Sequence, residues 1–277
     1  MKKFTGRFLR KIDCLSKREV NVVKRRMGEE EFYDTVAQRL LITEDLIVEE
    51  PARFLAGSMD AFRFMMERIG SVKGKKVLDY GCGSGWLGVY LAKQGAQIEG
   101  FDISGKLIEV ASLRAEANGV SHVCKFRKMV AESLEYPDEY FDLVVGVSIL
   151  HHVELGRATY HLQRVMKNGA LAIFIEPLGE NTLLNWARDM VFNVHYGLVK
   201  DKSTERPLTY RDIHAIGRSF VEYRWREFQL LSMVRRFIGD RLTEAIRLDR
   251  LDDQLLRKFP SLKRFCRLVV VELIKGS

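Results

Sequence analysis

The chain has 277 residues, of which 47% are hydrophobic and 30% charged, and its formal net charge is +8. That balance describes a globular protein with room for one α/β domain and additions, and it excludes a disordered or fibrous chain. No apolar run approaches the roughly 20 residues needed to cross a bilayer, and no apolar leader follows the first methionine, so a cytoplasmic protein is expected.

The charge is unevenly placed. Residues 1–28 carry ten basic and two acidic side chains, which accounts for the whole net charge of +8. Phe4, Phe8, Ile12, Leu15 and Val22 fall on one stripe at the helical period, with most of the cations opposite. Residues 2–26 therefore read as a basic amphipathic helix, weakened near its start by Gly6. Further helices are expected at about 30–47 and 53–69, which makes residues 1–70 a helical N-terminal extension and lid. The four cysteines, at 14, 82, 124 and 266, form no CxxC pair or close framework, so they read as free thiols without metal or disulfide.

From residue 71 the period changes. Strands are expected at 76–80, 96–102, 123–129, 141–147 and 170–175, separated by helices at 86–94, 106–118 and 156–166. Strands and helices alternating at this spacing indicate a parallel sheet covered on both faces. Further helices are expected at 182–194 and 209–218, then a strand at 221–231. An arginine-rich helical insertion at 233–264 precedes a last strand at 267–274.

The first strand runs into VLDYGCGSG at 77–85. A strand that turns abruptly into a helix, with a ligand against its bare backbone, needs glycine both for unusual φ and for clearance. The free N–H groups of the following helix then face that ligand. The spacing is GxGxG rather than the GxGxxG of a pyrophosphate loop. This segment resembles the first motif of the class I S-adenosylmethionine-dependent methyltransferases. The resemblance continues in order through Asp102, Ala131-Glu132, YFDLVVGVSILHHV at 140–153 and IEPLG at 175–179, covering about residues 75–180. It implies a Rossmann-like, seven-stranded, mostly parallel sheet of order 3-2-1-4-5-7-6 with the last strand antiparallel. It also implies S-adenosylmethionine as cofactor and a domain over 71–277.

In that family's terms, Asp79 belongs at the ammonium end of the donor and Asp102 at the ribose hydroxyls. Ala131 and Glu132 belong at the adenine. Val130 stands where the family commonly has Asp, so backbone contacts from Ala131 must serve the adenine amine. Tyr80, Gly81, Cys82, Gly83 and Gly85, with Ile103 and Ser148, complete the implied donor site.

Methyl transfer from a sulfonium requires in-line placement of a nucleophile, and a hydroxyl nucleophile also needs a base. His151 and His152, at the exit of the fourth strand, are the candidates because that edge faces the donor crevice. No [DNS]-PP-[YF] run follows the fourth strand, and no Pro-Cys nucleophile appears. Residues 178–209 offer Asn181, Asn185, Trp186, Arg188, Phe192, His195 and Tyr196, which with Phe32 and Tyr33 suggest an aromatic lid. The expected function is methylation of a small organic, lipophilic or aromatic substrate, on oxygen. Two alternatives stand beside it: an RNA methyltransferase using the basic N-terminus and the arginine-rich insertion, and a non-catalytic donor-binding regulator. Residues 1–28 suit docking on the lid or peripheral contact with an anionic membrane. Oligomeric state is left open.

Overall fold

The computed structural model describes residues 28–31, 33–35, 37, 46–48, 59–182, 185, 206–234 and 247–276. The expected helix at 2–26, the lid side chains Phe32, Trp186, Arg188, Phe192, His195 and Tyr196, and residues 235–246 of the insertion lie outside the described residues.

Seven strands form one sheet: β1 (Lys76–Tyr80), β2 (Gln97–Asp102), β3 (Cys124–Lys128), β4 (Phe141–Val147), β5 (Met166–Pro177), β6 (Glu222–Phe228) and β7 (Leu268–Ile274). Their order is β3-β2-β1-β4-β5-β7-β6, with the first five parallel and β7 antiparallel to both its neighbours. This is the order expected. Among the described residues, helices include α1 (Met59–Ile69), α2 (Trp86–Lys93), α3 (Gly105–Ala117), α4 (Leu155–Val165), α5 (Tyr210–Gly217) and α6 (Leu248–Lys258).

The central strands are apolar at nearly every position because both faces of the sheet are covered. Alternation then sorts their side chains into two cores. Leu78, Tyr80, Val144, Phe174 and Val271 enter one, against Ala158 and Leu162 of α4 and Ile213 and Ile216 of α5. Val77, Leu143, Val145, Ile173 and Val270 enter the other, against α1 and α2. Parallel strands bring the C-terminal ends of β1, β2, β4 and β5 to one edge, where ligands of such sheets bind.

Two strand boundaries depart from expectation, each for a local reason. β5 begins at Met166 rather than near 170, because α4 ends at Val165 and Met166 turns directly to extended backbone. Gly169 adopts φ 74, and the register shifts so that Phe141 faces Met166 while Leu143 faces Leu171. Residues 167–170 thus bulge out of the ladder. β6 ends at Phe228 instead of 231, since Gln229 turns left-handed (φ 67) and the next amides leave the sheet. Those of Leu230, Leu231 and Ser232 all donate to the buried Asp252 carboxylate on α6, at 3.0, 2.8 and 3.1 Å. In the insertion, α6 is followed by a 3-10 turn at Pro260–Phe265.

Asp252 ties the end of β6 to α6, and its removal leaves three amides to find other partners. Asp252→Ala is expected to lower stability by about 2–4 kcal/mol. Urea unfolding followed by circular dichroism reads this, and an unchanged midpoint would discard the role.

Candidate active site

β1 ends at Tyr80, and the chain turns into α2 through Gly81 (φ 69), Gly83 (φ 50) and Gly85 (φ 76). The three glycines have different tasks. A Cβ on Gly81 would lie 2.5 Å from Ile149 Cγ1, and one on Gly85 would lie 2.7 Å from Ala111 Cβ. At Gly83 a Cβ would meet nothing within 4 Å. Gly81 and Gly85 are therefore needed for packing, while Gly83 leaves bare backbone facing open space.

That space is a cavity of about 230 Å³ at the C-terminal edge of the sheet. Of the residues named from the sequence, Gly81, Gly83, Asp102, Ile103, Ala131, Glu132, Ser148 and His152 line it. Asp79, Tyr80, Cys82, Gly85 and His151 do not. Asp79 is buried, its Oδ2 accepting from Gly88 N at 2.9 Å in the first turn of α2, so it anchors the loop from behind. Burial pushes its pKa up to about 7, against the Gly88 hydrogen bond. The Tyr80 side chain is core, edge-on to Phe101 and Phe174. Cys82 is buried as well, and burial raises its thiol pKa, so it is no reactive thiolate.

Asp102, at the end of β2, accepts Gly83 N on Oδ2 at 3.0 Å and Ser104 N on Oδ1 at 2.9 Å. Burial raises its pKa, and the two amides oppose the rise. Each oxygen keeps a second lone pair for a ligand hydroxyl. Glu132 accepts from Glu154 N at 2.9 Å, which ties the loop after β3 to the start of α4. Ser148 takes φ 57, a conformation rarely adopted by residues other than glycine, at the exit of β4.

The two histidines differ. His151 Nδ1 lies 2.7 Å from Oε2 of the fully buried Glu176 on β5, whose Oε1 accepts the amides of Ile149 and Leu150 at 2.8 and 2.7 Å. His152, its ring 4.0 Å from that of His151, lines the cavity. Its Nε2 lies 3.1 Å from the Tyr33 hydroxyl and its Nδ1 3.7 Å from Glu29 Oε1. Burial first, then the neighbouring His151, pulls the His152 pKa down to about 4, so it stands neutral near pH 7. Burial raises the Tyr33 pKa, which keeps that hydroxyl a donor toward His152.

Glu29 and Tyr33 belong to the N-terminal extension and were not placed in the donor site by sequence reasoning, although Tyr33 was read as a lid aromatic. Both line the cavity. Their segment is held by Asp34 on Ser104 Oγ at 2.5 Å, by the Glu30–Lys128 ion pair, and by Ala37 packing on Leu107 and Val110. Glu176 was likewise missed as a functional group. Its only signal was a lone acid closing an apolar strand.

A family profile described as a methyltransferase domain matches residues 78–174. The chain is 34% identical over 166 residues to a ubiquinone biosynthesis O-methyltransferase of Rhizobium etli, a match covering 54% of this chain and 64% of that protein. It is 32% identical over 170 residues to the enzyme of that name from Agrobacterium fabrum, covering 55% and 64%. The chain thus matches somewhat less than two thirds of these relatives' length. Among solved structures, geranyl diphosphate C-methyltransferase from Streptomyces coelicolor superposes with a TM-score of 0.58 at 14% identity, covering 79% of each chain. The YcgJ protein of Bacillus subtilis gives 0.54 at 20% identity, covering 79% of this chain and 99% of the other. At such identities these two show the fold alone. Residues 78–174 thus match a methyltransferase domain, and the glycine loop and the sheet order are similar to those of class I methyltransferases, whose cofactor is S-adenosylmethionine. The open face of Gly83 and the oriented Asp102 carboxylate fit that group.

A methyl side chain at Gly83 would enter the cavity at a left-handed φ, costing about 1–2 kcal/mol of backbone strain. Gly83→Ala is expected to fold, melt slightly lower and bind S-adenosylmethionine at least about tenfold more weakly by calorimetry. Unchanged affinity would remove the loop from the donor site. For His152, a folded pKa below the usual 6.5 means that the unfolded chain binds the extra proton. Its contribution is complete above pH 6.5 and is lost as pH falls toward 4, by about 3 kcal/mol. Asp79 acts in the opposite sense over pH 4 to 7, its stability falling as pH rises. The measurement is therefore a difference: the stability of wild type relative to His152→Asn should fall between pH 6.5 and 4. A flat difference would contradict the buried, neutral imidazole.

Proposed function

We propose that the protein is an O-methyltransferase of a small lipophilic hydroxy compound, with a phenol as its preferred acceptor, and that His151 is its general base. The observation that carries the reading is the Glu176–His151 pair at the exit of β4, one ring away from the donor cavity. The names of the curated relatives, ubiquinone biosynthesis O-methyltransferases, support oxygen as the accepting atom and a lipophilic acceptor.

S-adenosylmethionine, when bound, supplies a methyl group on a sulfonium, which needs only a nucleophile in line and shielding from water. Gly83, Asp102, Ile103 and Ala131 would hold it. With Nδ1–H donated to Glu176, the His151 imidazole presents Nε2 as the proton acceptor. Glu176 cannot rotate away, because its other oxygen holds the Ile149 and Leu150 amides. The apolar walls Met129, Val147, Ile149 and Val153 keep water from the methyl group. Neutral, buried His152 forms wall together with Tyr33 and gains no proton near pH 7. In this reading the enzyme works in the cytoplasm, and the sequence of residues 1–28, apolar on one face and basic on the other, suits contact with an anionic membrane.

His151→Ala is expected to lower turnover by about 10²–10⁴-fold on a hydroxylated aromatic acceptor while donor affinity stays unchanged. The assay is transfer of labelled methyl to a panel of lipophilic phenols, amines and RNA, with products identified by mass spectrometry. Methylation confined to nitrogen or RNA would overturn the acceptor class. Full turnover in His151→Ala would move the base elsewhere.

A further inference from the structure

From the last two residues of α6 toward β7 the chain runs Arg257, Lys258, Phe259, Pro260, Ser261, Leu262, Lys263, Arg264, Phe265, and every one of these is exposed except half-buried Leu262. Phe259 and Phe265 keep 46% and 44% of their surface in contact with water. Hydrophobic burial opposes such exposure, yet the backbone here is well held. Phe259 N donates to Leu255 O at 2.7 Å, Leu262 N to Phe259 O at 3.0 Å and Cys266 N to Lys263 O at 3.1 Å. Leu262 turns inward to the core while the two phenylalanines turn out. Their exposure is thus set by the 3-10 turn and not by fraying.

The stretch contains four cations and no acid. Lys263 Nζ sits 3.5 Å from buried Glu227, but Arg257, Lys258 and Arg264 have no carboxylate partner among the described residues. Lys258 and Arg264 instead lie over the rings of Phe259 and Phe265, 5.5 and 5.7 Å from the centroids. A cation on the ring face leaves that face unavailable for base stacking, the usual mode of single-stranded nucleic acid. The ring edges stay free to enter an apolar boundary, with the cations at headgroup level.

Position matters as much as composition. β7 runs antiparallel to β5, so Leu268 lies opposite Pro177, and Leu178 N donates to Arg267 O at 3.0 Å. The turn therefore stands on the edge of the sheet where the donor cavity opens. We propose that residues 257–265 form a membrane-facing rim that seats this edge of the protein on an anionic lipid bilayer, by phenylalanine insertion and cationic attraction. The rim is a different part of the sequence from residues 1–28, and it does not depend on which acceptor is methylated.

The test is co-sedimentation of the full chain with vesicles of equimolar phosphatidylglycerol and phosphatidylcholine, with phosphatidylcholine vesicles, and with poly(U) on beads. The wild type is expected to bind the anionic vesicles, to release as salt rises, and to ignore the neutral ones. Two variants probe the rim independently: Phe259→Ser with Phe265→Ser, and Arg257→Gln with Lys258→Gln and Arg264→Gln. Each is expected to weaken partition into anionic vesicles at least about tenfold, with melting temperature and S-adenosylmethionine affinity unchanged. Variants that sediment like the wild type would overturn the rim and leave any contact to residues 1–28. Absence of wild-type binding overturns it outright. Loss of poly(U) retention without vesicle binding would make the surface one for nucleic acid.

Discussion

A carboxylate buried at the end of a strand must find hydrogen-bond donors, and Asp102 finds them in two loops at once. Gly83 N belongs to the turn after β1, and Ser104 N to the turn after β2. The clamp holds bare glycine backbone beside the acid that faces the same cavity. Ser104 passes the constraint on, because its Oγ caps α3 at Leu107 N and donates to Asp34 of the N-terminal segment. Loop, helix and cap over the cavity are thus ordered through one anion, whose own burial is tolerable because these amides compensate it.

Glu176 repeats the device on the other side of the switch in strand order. It is fully buried at the end of β5 and takes two amides from the turn after β4 before it meets His151. Two carboxylates at one sheet edge thus divide the work: one shapes the donor pocket, the other an imidazole beside it. The adjacent histidines diverge because their surroundings differ. His152 is enclosed by Tyr33, Glu29 and His151 and held neutral by desolvation, whereas His151 is turned toward an anion.

Surface features follow the same edge. β6 ends, and antiparallel β7 begins, at the same edge as the end of β5, so the segment that joins them, α6 and its 3-10 turn, starts and finishes at that edge. The exposed Phe259 and Phe265 of that segment, with the cations beside them, therefore stand near this edge as a consequence of topology.

The order of elements, the glycine turn and the acid at the end of β2 were legible in the chain because they rest on short-range patterns. Two-residue alternation, helical period and backbone clearance involve neighbours a few positions apart. The candidate site was legible only in part: Gly83, Asp102 and Ser148 stand in the cavity, whereas Asp79, Tyr80 and Cys82 are buried behind it. No local pattern separates a glycine that faces a ligand from one that clears Ile149 or Ala111, since both show the same letter in the same turn. Nor could spacing distinguish His151 from His152. Their surroundings differ through Glu176 on β5 and through Tyr33, which is 119 residues from His152 along the chain. The sequence alone determined which segments become strands and where the backbone must turn tightly. Only the tertiary structure decided which side chains are desolvated together, because burial and charge pairing depend on contacts that the linear order does not contain.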